Sequence, residues 1–205
     1  MNLSQQILNI GEQLKQQKET CFYDFVSHLQ LYGIAFLLLL FSLPAALPIP
    51  AIGLNTIIAL PLLLLTVQQA LGRHSLWVPD FVGRKSINPQ AIEGFIQKSI
   101  PFIKKIEILS KPRLLFLTSQ QAQKIIGLLG FVMALAVAIP LPLTNTVPSF
   151  GIAMLAVGVL MRDGFAVIIG ALVGIAWVSM LVAVFVFFGV EGAEMVKDFI
   201  KGWVL

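Results

Sequence analysis

The residues that could do chemistry stand in two short polar runs inside apolar sequence: Asn55-Thr56, and Thr144-Asn145-Thr146 with Ser149 close behind. Each run is followed by an arginine, Arg73 in the first case and Arg162, with Asp163, in the second. Hydroxyls, carboxamides and guanidinium groups of this kind bind a ligand; they do not break bonds unless a base, a nucleophile or a metal stands beside them. The chain holds no His-Glu-x-x-His, Walker loop, nucleophile elbow or cluster of His and Cys, so neither catalysis nor a metal or other cofactor is expected. Asp163 is the acid that borders the apolar segments, and beside Arg162 its expected role is a local cap or ion pair rather than acid catalysis.

What these runs could bind depends on their backbone. Pro140, Pro142 and Pro148 fall within nine residues, and each lacks an amide donor and clashes with the preceding turn, so a helix must break there. At membrane depth such a break is tolerated only where the freed backbone groups are buried in protein or line a wet cavity. Asn145 or Thr146 suits an N-cap, Pro148 the first turn, and Ser149 adds a hydroxyl, so amides near 149–151 would offer a positive helix end to an anionic group. Pro48 and Pro50, followed by Gly53, Asn55 and Thr56, repeat the pattern. Leu47-Pro48-Ile49-Pro50 aligns with Ile139-Pro140-Leu141-Pro142, and Ala70-Leu71-Gly72-Arg73 with Val159-Leu160-Met161-Arg162. Two copies of one broken hairpin point to a substrate site where the breaks meet. The alternative is that these polar groups satisfy only one another.

The elements that must position them belong in a bilayer. Hydrophobic residues make up 58% of the 205 and charged residues only 12%, against about 25% charged in an average soluble domain. The first 32 residues are polar and mixed in charge, unlike a cleaved signal peptide, so the N-terminus is expected to be retained. The single cysteine, Cys21, excludes an intrachain disulfide and reads as a small residue on a helix. The net charge of +4 comes from basic residues beside hydrophobic segments, which fits orientation and anionic lipid rather than nucleic acid.

Taken in order, residues 1–32 read as an N-terminal amphipathic helical segment, helical over 3–31 and divided near Gly11 and Lys15 to Thr20. Residues 33–71 form a first broken hairpin of 39 uncharged residues, either two crossings or a re-entrant pair. Its first arm, 34–47, reaches only about 21 Å, short of a hydrocarbon core of about 30 Å. Residues 72–124 carry nine basic residues against three acids and read as a cytoplasmic connection containing an amphipathic helix, stripe Ile92 to Ile106, kinked at Pro101. The N-terminus is expected on that same side. A second broken hairpin, 125–163, precedes a transmembrane helix, 164–190, and an interfacial tail, 191–205; Trp77 and Trp203 suit the aromatic belt. Gly170 and Gly174 permit close helix contact, within the chain or between two copies, and a homodimer through the small-residue face of Phe165 to Val190 is expected. The fold class expected is therefore an all-α integral membrane protein with two repeated Pro-broken hairpins and a C-terminal spanning helix.

Gly72-Arg73-His74-Ser75-Leu76-Trp77-Val78-Pro79, followed by Arg84-Lys85-Ser86-Ile87, resembles the Gly-Arg-x-x-x-Trp-Leu-Pro and basic-pair signature of the ExoD family of bacterial exopolysaccharide-synthesis membrane proteins. Lys111-Pro112-Arg113, the block from Ile139 to Pro148, and Arg162-Asp163-Gly164 agree with it in order, over residues 33 to about 190. His74, Ser75, Val78 and Lys111 depart from the family's usual residues. The resemblance implies a multi-pass protein of the bacterial inner membrane that acts in making or exporting surface polysaccharide. It would do so as a carrier of an anionic or saccharide-linked substrate, or as an accessory or scaffold partner of polysaccharide-synthesis proteins.

Overall fold

The computed structural model describes residues 4–5, 7–9, 12, 20–21, 23, 33–47, 54–73, 76–84, 86–87, 89–139 and 145–204. Among the described residues the fold is all-helical apart from one two-residue strand pair. Seven helices follow one another: α1 (Gly33–Ala45), α2 (Leu54–Ala70), α3 (Asp80–Gly83), α4 (Pro89–Leu109), α5 (Gln120–Ala138), α6 (Thr146–Met161) and α7 (Gly164–Val204). A 3-10 turn, Leu115–Thr118, leads into α5.

α1 is apolar all round and buried on most of its surface, including Phe36, Leu37, Leu38 and Leu39, as a helix without a polar face must be. It ends just past Pro44. α5 begins inside the segment read as connection because Ser119 caps it, its side chain accepting from the Ala122 amide.

Close helix contacts fix the register. A Cβ at Gly127 would lie 2.3 Å from the Ala70 amide nitrogen, and one at Gly130 would lie 2.9 Å from Thr66 Cγ2, so α2 and α5 run antiparallel. Gly158 faces Val167, and Gly170 faces Gly151 and Leu155, so α6 and α7 also run antiparallel. α1 packs on α2 and α6, and α6 packs on α5. The four arms thus form a ring in the order α1, α2, α5, α6, with α7 against its last members. A small recess gathers Ile34 and Ala35 from the start of α1, Gln69, Gly72 and Arg73 from the end of α2, Gln120 and Gln123 from the start of α5, and Val159 from the end of α6. Both helix pairs therefore stand on one base and point the same way. The prolines of the two breaks, Pro48, Pro50, Pro140 and Pro142, lie outside the described residues.

Two helical stretches are long and apolar enough to cross a membrane, Gln120–Ala138 and Gly164–Phe187. They are candidate spans, and α1 with 13 residues and α6 with 16 are shorter apolar helices. Much of the apolar surface faces outward: Ile125, Leu128, Val132, Leu135 and Ile139 form a stripe on α5, and Leu172, Ile175, Val182 and Phe185 are exposed on α7. Such a continuous band suits hydrocarbon, not water.

One expectation needs correction. Thr20–Cys21 is not helical but pairs antiparallel with Ser86–Ile87; the pairing falls at the polar gap of the N-terminal stripe, next to Tyr23, whose hydroxyl lies 2.8 Å from both the Val78 carbonyl and Asp80 Oδ1. The small-residue face of α7 makes close contacts inside the chain, Gly170 on α6 and Gly174 on Met133. The helical run of α7 breaks at Gly189, where φ is 62°, and resumes beyond it to Val204.

α4 lies over the bundle through Ile100 and Ile103, which are buried, while Lys104 and Lys105 are exposed. The Ser4 amide and hydroxyl each donate to the Glu107 carboxylate at 2.8 Å. The N-terminal segment is thereby tied to α4.

Candidate functional site

The helices distribute the candidate residues between the two ends of α6. At its C-terminal end, Arg162 adopts a left-handed conformation with φ 54°, which turns the chain so that Asp163 can cap α7. The Asp163 carboxylate accepts from the Phe165 amide at 3.0 Å. It also accepts from Arg113 Nε at 2.9 Å and Nη2 at 3.3 Å, from Ser110 Oγ at 3.0 Å and from the Lys111 amide at 3.3 Å. The backbone reinforces this junction: the Arg113 amide donates to the Arg162 carbonyl, and the Gly164 amide to the Arg113 carbonyl. A Cβ at Gly164 would lie 2.7 Å from the Leu114 carbonyl oxygen, so only glycine allows the two strands of chain to meet this closely. The Arg113 guanidinium also stacks 4.9 Å over Phe165, a cation–π contact.

The electrostatics follow from these contacts. Burial works to push the Asp163 carboxyl up, but the Arg113 guanidinium, the Ser110 hydroxyl and the two amides outweigh it and hold it below the usual carboxylate range. The hydrogen bonds that Arg113 donates to Asp163 correspondingly raise the guanidinium. The expected cap is present, and the ion pair is present too, but with Arg113, 50 residues earlier, rather than with the exposed neighbour Arg162. This junction is a fully satisfied latch between the connection and the second hairpin. Lys111-Pro112-Arg113 was visible as a basic pair, but nothing local joined it to Asp163 rather than to Glu191, which also borders an apolar segment.

The other end of α6 differs. Asn145 occupies the N-cap position with helical φ and ψ, and its side chain makes no capping bond. It is buried, as are Pro148 and Ser149. Thr146 begins the helix and is half-buried. Ser149 is fully enclosed, and its Oγ has no hydrogen-bond partner among the described residues. Buried hydroxyls in apolar helices ordinarily bond a carbonyl one turn back. Thr66 does so to Leu62 at 2.8 Å and Ser42 to Leu39 at 3.2 Å, whereas the Ser149 hydroxyl makes no such bond among the described residues, although its amide donates to the Asn145 carbonyl at 3.1 Å.

Asn55 and Thr56 stand in the first turn of α2, and their side chains lie outside the described residues, as does Thr144 entirely. Arg73 is exposed at the base, where the Lys124 side chain crosses Gly72 so closely that a Cβ there would lie 2.6 Å from Lys124 Cε. The candidates therefore form two groups, Arg73, Arg162 and Asp163 toward the base and Asn145, Thr146 and Ser149 at the opposite end, separated by the 16 residues of α6, about 24 Å of helix. Among the described residues no group of three or more His, Cys, Asp or Glu could hold a metal.

Comparison with known proteins places this architecture. An uncharacterized protein of Synechocystis sp. is 32% identical over 180 residues, which is 85% of this chain and 82% of that one. Protein ExoD of Rhizobium meliloti is 28% identical over 164 residues, covering 78% of this chain and 65% of that protein's length, so the chain spans just under two thirds of it. No solved structure matches. The family described as exopolysaccharide synthesis, ExoD, matches residues 3–183, a span that takes in both helix pairs, the Arg113–Asp163 latch and most of the long apolar helix, and the chain belongs to that family.

Proposed function

We propose that the protein carries an anionic or saccharide-linked substrate of exopolysaccharide synthesis or export across the bacterial inner membrane, and that it engages this substrate at the N-terminal end of α6. The observation that supports the reading is the Ser149 hydroxyl, fully buried and without a partner among the described residues. Leaving such a group unpaired costs roughly 1–3 kcal/mol, and a fold that satisfies Ser42, Thr66 and Thr118 locally has the means to avoid that cost. A hydroxyl held open beside the buried Asn145, at the positive end of a helix, is suited to a sugar hydroxyl or a phosphate oxygen. α1 adds a second buried hydroxyl nearby. Counting along the antiparallel arms from the recess shared by Ile34, Ala35 and Val159, Ser42 falls within about one turn of the level of Ser149.

The second reading, an accessory subunit of a polysaccharide-synthesis complex, draws on the outward apolar stripe of α5 from Ile125 to Ile139, which another membrane protein or a second copy of the chain could cover. Purified protein in liposomes separates the two. A carrier moves a fluorescent saccharide-linked lipid phosphate between leaflets faster than empty liposomes do, and an accessory subunit leaves that rate unchanged while co-purifying with synthesis proteins.

A further inference from the structure

Leu60, Leu63, Leu64, Val67 and Leu71 of α2 line an open groove of about 550 Å³ that Gln68, Arg73 and Trp77 complete at one end. Leu60, Val67 and Leu71 face outward, so the groove belongs to the exterior of the bundle. From Leu60 to Leu71 it runs about 16 Å along the helix, roughly half of a 30 Å hydrocarbon core. That is the depth of one leaflet.

Its polar end is built. Gln68 Nε2 donates to the Trp77 carbonyl at 3.0 Å and Gln68 Oε1 accepts from the Trp77 amide at 2.6 Å, which pins the chain after α2 so that Trp77, half exposed, stands beside Arg73. Lys124 from α5 lies across Gly72 and brings a second cation to the same turn. Neither Arg73 nor Lys124 has an acidic partner among the described residues. Arg73 and an indole at the end of a leaflet-deep apolar groove, with Lys124 across the adjoining Gly72 and neither cation holding an acidic partner among the described residues, match the parts of a phospholipid: acyl chain, interfacial region and phosphate.

We infer that this groove holds one acyl chain of an anionic phospholipid from the surrounding leaflet, with its phosphate against Arg73 and Lys124. The site is at the end of α2 remote from Asn55 and Thr56 and does not depend on the substrate reading above. Its lipid is a resident of the bilayer, which would seat the base of both helix pairs at the interface.

Native mass spectrometry of the detergent-solubilised full chain, titrated with phosphatidylglycerol or with phosphatidylcholine of the same acyl chains, tests this. The expected result is one retained phosphatidylglycerol, preferred roughly ten- to thirty-fold, as about 1 kcal/mol from each of two cations implies. The paired change Arg73→Gln and Lys124→Gln should bring the preference close to unity, while Arg73→Lys with Lys124→Arg keeps it. Val67→Trp should fill the groove and weaken both lipids. Equal retention of the two lipids by the unaltered protein, or an undiminished preference in the doubly neutralised variant, would overturn the assignment. So would displacement of the lipid by soluble glycerol phosphate, which would reveal a phosphate site with no use for the groove.

Discussion

The two ends of α6 carry buried polar groups in opposite conditions. Past its C-terminal end, the Asp163 carboxylate takes five hydrogen bonds, including a guanidinium from 50 residues away. At its start, the Ser149 hydroxyl takes and gives none among the described residues. Burial alone cannot explain the difference, because both groups are enclosed. A buried polar group with every partner present specifies one arrangement of the chain; one with a partner missing destabilises the fold and is maintained for another reason. The base of the bundle is therefore where the fold is fastened, and the start of α6 is where the carrier reading proposed above puts its ligand.

The sharpest way to break this contrast is to remove the fastening. Asp163→Ala deletes a helix cap and several charge-assisted hydrogen bonds together, and the loss should be about 2–4 kcal/mol. It stays below the cost of orphaning a wholly buried charge because Arg113 is half exposed and can turn to water. On a chain of this size that corresponds to a fall in melting temperature on the order of 10 °C, measurable by thermal unfolding in detergent. The same carboxylate predicts a pH dependence. Its folded pKa lies below its ordinary value, so its contribution is complete above about pH 4, the unfolded carboxylate value, and is lost as pH falls through the lower folded value. Asp163→Asn should flatten that acid limb. An acid limb unchanged by the substitution would remove the latch from its place as the main fastening.

A smaller effect is expected from crowding the wall behind the open end. Gly174 touches Met133 so closely that any side chain displaces it, and Gly151, two residues beyond Ser149, shares the same contact. Gly174→Leu should cost about 1–3 kcal/mol by overpacking and leave the oligomer size in detergent unchanged, because the face lies within one chain. A smaller oligomer with an unchanged melting temperature would return this face to a dimer interface.

What was legible beforehand follows from how local each signal is. Long uncharged runs, proline breaks and a basic connection with helical spacing are read within a few turns, and they gave the helices and the membrane class. Partners across 50 residues are not local: Asp163 was visible as an isolated acid, but nothing near it distinguished Arg113 from its neighbour Arg162. Glycine spacing on α7 was equally ambiguous, since Gly170 and Gly174 pack identically against a helix of the same chain or of another. The orphaned state of Ser149 could not be read at all, because a serine in the first turn of a helix ordinarily finds a partner, and only the surrounding packing decides whether it does.

The smallest effect on stability, and the largest on function, should come from Ser149→Ala. Deleting a buried hydroxyl that bonds to nothing among the described residues removes a desolvation cost and little else, so the melting temperature should hold or rise slightly, the opposite of Ser42→Ala or Thr66→Ala, whose hydroxyls are bonded within their own helices. If the α6 start meets substrate, Ser149→Ala should still slow movement of the saccharide-linked lipid phosphate in liposomes, because the lost hydrogen bond is then one made to the ligand. Measured side by side, the three alanine variants separate stability from function: Ser42 and Thr66 should lose the first, Ser149 the second. A Ser149→Ala protein that is markedly destabilised would mean that the hydroxyl has a partner in the folded chain. One that moves substrate at the unaltered rate would mean that the open end of α6 is not the site.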